Sequence, residues 1–141
     1  MSRQHFILPI AAAVSSLVVS ATVAQANPIN QVVNCTSAGQ ICDRTARVTF
    51  NSDGSHQEFA VGLRAPATHC SPIKYFTTNS SGQRVETEVL APGQQTYLVL
   101  GRGFNRGSHT VQIGAIGIQE GCNIGRLGSW GVQATVYPVP Q

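Results

Sequence analysis

Cys35, Cys42, Cys70 and Cys122 are the side chains of this chain best equipped for covalent chemistry. An even number of cysteines behind an export signal implies two disulfides, and spacing alone leaves three pairings open. A zinc site calls for C-x2-C pairs or neighbouring histidines, and neither spacing occurs. Past residue 26 the histidines are His56, His69 and His109, with no H-x-H or H-x3-H pair among them. A blue-copper site needs a free cysteine and usually a methionine, whereas Met1 is the one methionine. Neither a metal nor any other cofactor is expected. For hydrolysis there is no G-x-S-x-G elbow and no H-E-x-x-H motif. Ser108 and His109 are adjacent, which on a strand sends them to opposite faces. Glu86 and Glu88 would share a strand face about 7 Å apart, a spacing that glycosidase carboxylates use. Without a cleft they read as a solvated face. No catalytic set converges, and a non-enzyme is expected. The most unusual surface feature is Arg102, Phe104 and Arg106 in G-R-G-F-N-R-G. Two guanidiniums around an aromatic ring could hold a sulfated or phosphorylated glycan, since arginine takes oxyanions bidentately. The alternative is a connector whose Phe104 caps the core.

The compartment follows from the start of the chain. Residues 1–26 carry Arg3 and His5, then an uncharged apolar run, then Ala24-Gln25-Ala26 followed by Asn27-Pro28. That is the layout of a secretory signal peptide with a small-x-small cleavage site; the alternative is retention of the run as an anchor. Without Arg3, eight basic residues face six acidic ones, and Lys74 is the only lysine. So small an excess gives no field to hold nucleic acid. Asn34-Cys35-Thr36 and Asn79-Ser80-Ser81 match the glycosylation pattern, which matters only in a host that glycosylates.

The elements that must position these residues are strands. Residues 44–51 alternate Ala46, Val48 and Phe50 with Arg47 and Thr49, and 56–64 alternate Phe59, Val61 and Leu63 with His56, Glu58 and Arg64. Asp53-Gly54 between them is a turn signal, so the two are expected to form a hairpin. Residues 73–78 put Ile73 and Tyr75 on one face and Lys74 and Phe76 on the other. Residues 83–90 put Val85, Thr87 and Val89 opposite Arg84, Glu86 and Glu88, the pattern of an edge strand. Residues 95–100, 108–119 and 128–137 complete the set. In 108–119 the apolar face is expected to switch at Gly114 through a β-bulge, and the last strand alternates Trp130, Val132, Ala134 and Val136. Val32 and Val33 could add a short first strand. The chain thus divides into a leader (1–26), a disulfide-closed N-terminal segment (27–43) and a β domain (44–141).

Seven short strands with turns between them and no helical periodicity predict an all-β, antiparallel sandwich that resembles immunoglobulin or fibronectin-III domains in architecture. The resemblance implies that the third and sixth strands are antiparallel neighbours. Cys70 just before the third and Cys122 just after the sixth are then brought together, which leaves Cys35 with Cys42. Both bridges are expected to be buried or half-buried. Alternation up and down the sandwich gathers loops 65–72, 91–94 and 119–128 at one end, and 52–55, 79–82 and 101–107 at the other.

These readings predict a secreted or periplasmic, non-catalytic domain that serves as a binding or structural module. Its partner is expected at the envelope or outside the cell, a glycan among the options, and is neither nucleic acid nor, after cleavage, membrane. A carbohydrate-binding module is the first alternative; it calls for exposed aromatic residues, such as Trp130 with a tyrosine. A metal-dependent or hydrolytic secreted enzyme is the second.

Overall fold

The computed structural model describes residues 28–141; the expected leader lies outside the described residues. Eight strands follow one another: β1 (Ile29–Asn34), β2 (Ala46–Ser52), β3 (Phe59–Arg64), β4 (Ile73–Thr78), β5 (Arg84–Glu86), β6 (Gln95–Gly101), β7 (Gly107–Gly117) and β8 (Ser129–Pro138). They build two antiparallel four-stranded sheets, ordered β1-β8-β3-β6 and β2-β7-β4-β5. An all-β antiparallel sandwich is as expected, with eight strands in place of seven and a strand order that is not that of an immunoglobulin or fibronectin-III domain. The added strand is β1, which pairs along its full length with β8.

Every connection except β4–β5 changes sheet, an eight-stranded jelly-roll arrangement. The expected hairpin of 44–51 with 56–64 is therefore corrected. β2 pairs with β7, while β3 lies in the other sheet between β8 and β6. The turn signal is real: Gly54 has φ 79° and Ser55 N–H bonds Asp53 Oδ1 at 2.8 Å. A turn residue reverses the chain locally, however, and does not say whether the next strand pairs beside the last or packs across from it. Here the two apolar faces meet across the core, with the Phe50 and Phe59 rings 4.8 Å apart.

The interior is filled from both sheets. Ala46, Val48 and Phe50 of β2, Val111, Ile113 and Ala115 of β7, and Tyr75 of β4 oppose Val61 and Leu63 of β3 and Trp130, Val132, Ala134 and Val136 of β8, all buried. Tyr75 spans the sandwich: its hydroxyl donates to the Gly131 carbonyl at 2.6 Å, and burial pushes the phenol above its usual range. In β7 the inward set stays in phase, so no switch occurs at Gly114. That glycine faces outward, and the Phe76 ring occupies the space a Cβ would take. Register shifts lie elsewhere, between Phe59 and Ala60 where β3 pairs with β6 and on the edge strand. Between the pairs Phe76↔Glu86 and Ile73↔Leu90, four steps along one strand oppose three along the other. The extra residue turns Leu90 inward and leaves Val89 exposed, against the expected alternation. Thr87 fills the irregularity by accepting Tyr75 N–H on its hydroxyl at 3.0 Å.

β4 and β7, the expected third and sixth strands, do pair, and the disulfides are Cys70–Cys122 and Cys35–Cys42. Cys42 is buried and Cys35 half-buried, but Cys70 and Cys122 are exposed, contrary to expectation, because they join loops beyond the strand ends. The loops sort as expected. Ala65 exchanges backbone bonds with Gly93 and Gln94, and Cys70 meets Cys122, at one end. Ser80 N–H bonds the Leu100 carbonyl, and Ser52 Oγ–H bonds that of Phe104, at the other.

Candidate binding face

Inward alternation on one side of a strand dictates what stands on the other. With Trp130, Val132, Ala134 and Val136 inside, β8 presents Gly131, Gln133, Thr135 and Tyr137 outward. With Val61 and Leu63 inside, β3 presents Gly62 and Arg64; with Leu98 and Leu100 inside, β6 presents Gln95, Tyr97 and Val99. Register then aligns these positions across the sheet. One row runs Asn30–Gln133–Arg64–Gln95, over all four strands. The next runs Thr135–Gly62–Tyr97, and a third Tyr137–Ala60–Val99. At the usual strand spacing the first row spans roughly 14 Å.

A groove of about 700 Å³ lies over this face, lined by Asn30, Gly62, Arg64, Tyr97, Gln133 and Tyr137 among others. A second hollow of about 590 Å³ shares Asn30, Arg64 and Gln133 with it and runs toward His69 and Trp130. Both volumes lie in the range of small-molecule sites. Tyr97 is 59% exposed, and among the described residues its ring stacks on no other aromatic ring. Gly62 forms the floor beside it. A Cβ there would stand 3.3 Å from Cε1 of Tyr137, so glycine lets that ring lie down against the sheet. Two phenols thus flank a bare stretch of strand, with a line of amides alongside.

The far wall is the loop after β3. A Cβ on Gly131 would meet Pro66 Cγ at 3.0 Å, and Gly131 N–H donates to His69 Nε2 at 3.0 Å. Accepting that bond requires an unprotonated Nε2, which places the ring proton on Nδ1. Burial pushes the His69 pKa below its ordinary 6.5. Gly131 is therefore held from both sides, by His69 outside and Tyr75 inside. Among the described residues lining the groove, Arg64 is the only one that bears a charge. Its Nε donates to the Gly93 carbonyl at 3.2 Å, and among the described residues no carboxylate lies within ion-pair distance of it.

The residues singled out for chemistry fall elsewhere. Phe104 packs edge-on against Phe50 and Phe59, with centroids 5.2 and 5.5 Å away, and closes one end of the core. Arg106 Nε donates to the Asp53 carbonyl at 3.2 Å, and Arg102 stands 3.9 Å from Glu58. The three side chains have separate partners, at the end of the sandwich away from the 91–94 turn. His109 Nε2–H donates to the Asn105 carbonyl at 2.7 Å, and the ring packs on Phe50 and Phe104. Glu86 is gripped by Lys74 and Arg84, which hold its carboxyl below the usual range, while Glu88 lies past the end of β5. Trp130 is 2% exposed and cannot be a surface platform. The aromatic residues on the outer face, Tyr97 exposed and Tyr137 half-buried, carried a readable signal: each has the opposite parity to buried neighbours on its own strand.

No family profile and no curated protein matches the chain. Among solved structures it is similar to a family two carbohydrate esterase from Cellvibrio japonicus, at 16% identity and a TM-score of 0.30 over 82% of this chain; the chain spans 35% of that protein's length. It is also similar to a mutant of a family 29 carbohydrate-binding module, at 10% identity and a TM-score of 0.27, with 79% of this chain and 92% of that one covered. At these TM-scores neither likeness bears on function.

Proposed function

We propose that this chain is an exported, non-catalytic binding module that takes a carbohydrate chain along the outer face of β1-β8-β3-β6. One observation carries the reading: Tyr97 and Tyr137 flank Gly62 in an open groove beside the row Asn30–Gln133–Arg64–Gln95. Sugars present an apolar C–H face and an edge of hydroxyls. Phenol rings suit the first, and side-chain amides, which donate and accept at once, suit the second. Among the described residues no carboxylate lines the groove, and His69 at its margin already uses Nε2 to hold Gly131, which supports binding over catalysis. Two disulfides fit an oxidising compartment, in keeping with the expected leader.

The test is calorimetric titration of the exported protein with a panel of soluble oligosaccharides. Tyr97→Ala is expected to weaken binding at least tenfold, about 1.4 kcal/mol, without moving the melting temperature, because its ring is exposed. A ligand bound equally well by wild type and by a Tyr97→Ala, Tyr137→Ala variant would refute the reading.

A further inference from the structure

We infer that the sugar chain is acidic, and that Arg64 selects it by pairing with an oxyanion group on the ligand. The inference rests on the binding face just proposed and concerns which glycan it takes. Arg64 stands where the groove and the adjoining hollow meet, and lines both. Its cross-strand neighbours, Gln133 and Gln95, are neutral, as is Asn30 at the end of the row. On the outer face of the opposite sheet Glu86 engages both Lys74 and Arg84, whereas among the described residues Arg64 has no carboxylate partner. Nor is it loose. Its Nε is bound to the Gly93 carbonyl, in a turn that Ala65 secures through two backbone bonds, Ala65 N–H to Gln94 O and Gly93 N–H to Ala65 O, each 2.9 Å. The Nη groups remain for a ligand. A guanidinium oriented through one nitrogen offers the rest as a fork that matches the two oxygens of a carboxylate or sulfate. A neutral sugar offers that fork hydroxyl acceptors but no opposite charge.

The experiment titrates wild type, Arg64→Gln, Arg64→Lys and Tyr97→Ala with three probes: polygalacturonate, a sulfated galactan, and neutral xylan. Wild type is expected to prefer a charged probe. Arg64→Gln should lose about ten- to hundredfold in affinity for it, the usual effect of removing a charged hydrogen bond. Arg64→Lys should recover only part, since it restores charge without the fork. Added salt should weaken the wild type and leave Arg64→Gln nearly flat. Which charged probe binds identifies the oxyanion as carboxylate or sulfate. Tight binding of xylan that Tyr97→Ala abolishes and Arg64→Gln leaves intact would overturn the acidic selection while keeping the face. Failure of all three probes to bind would overturn both. Arg64 is exposed, and circular dichroism of each variant should match wild type.

Discussion

Tyr75 shows how one hydroxyl joins the two sheets. It is buried, and it satisfies the Gly131 carbonyl from inside the sandwich while His69 satisfies the Gly131 amide from outside. Tyr75→Phe keeps the ring and removes the bond, so a buried carbonyl loses that partner. We expect a loss of about 1–3 kcal/mol in urea-induced unfolding; an unchanged midpoint would mean that the bond contributes nothing. Gly62 matters for the opposite reason, through what it leaves out. Gly62→Val would push against the Tyr137 ring, 3.3 Å from a Cβ at that position, and fill the floor of the groove. Glycan affinity should fall by at least tenfold, about 1.4 kcal/mol, with the fold retained by circular dichroism; undiminished affinity would place the ligand elsewhere.

At the scale of elements, the loops at the Cys70–Cys122 end are held by two different devices. The long bridge closes a separation of 52 residues and the short one a separation of 7. In the chain-entropy account these are worth about 4 and about 2.5 kcal/mol, so replacing Cys70 and Cys122 by serine should cost more than replacing Cys35 and Cys42. Equal losses on thermal unfolding would contradict that order. The strap after β3 depends on a neutral imidazole. Because the folded pKa of His69 lies below 6.5, the unfolded chain takes up its proton first as pH falls. Stability is full above 6.5 and declines as pH drops from there toward the folded value. Asp43, Asp53 and Glu86 are shifted down from 3.8, 3.8 and 4.5 and lose their contributions only at still lower pH. Urea midpoints between pH 8 and about pH 5 should therefore fall in wild type and fall less in His69→Gln; identical slopes would remove the strap from the account.

At the scale of the whole molecule, what was legible in the sequence was whatever local alternation determines. The inward faces of β2, β3, β4 and β8 were readable, and so was the pairing of β4 with β7, which brings Cys70 to Cys122. Sheet membership was not, because Asp53-Gly54 makes the same local turn whether Phe59 next pairs beside Phe50 or packs across from it. β1 was nearly invisible: on this edge strand only Val33 is buried while Val32 is exposed, leaving too short a pattern to read. The binding face escaped notice for a related reason. Tyr97, Gly62 and Tyr137 are 35 and 40 residues apart along the chain, and only the register of β3 with β6 and β8 makes them neighbours. Arg102, Phe104 and Arg106 are close in sequence, and the Phe104 ring is turned toward Phe50 and Phe59, in line with the core-capping alternative.

A sugar chain on the outer face of β1-β8-β3-β6 must perturb the backbone amides beneath it. Backbone amide shifts of the isotope-labelled protein, followed as the bound oligosaccharide is added, test this most directly. The account predicts that the largest changes fall on Gly62, Arg64, Tyr97, Gln133 and Tyr137, in one patch spanning three adjacent strands. Changes concentrated at Arg102, Phe104 and Arg106 instead, with the outer face silent, would contradict it.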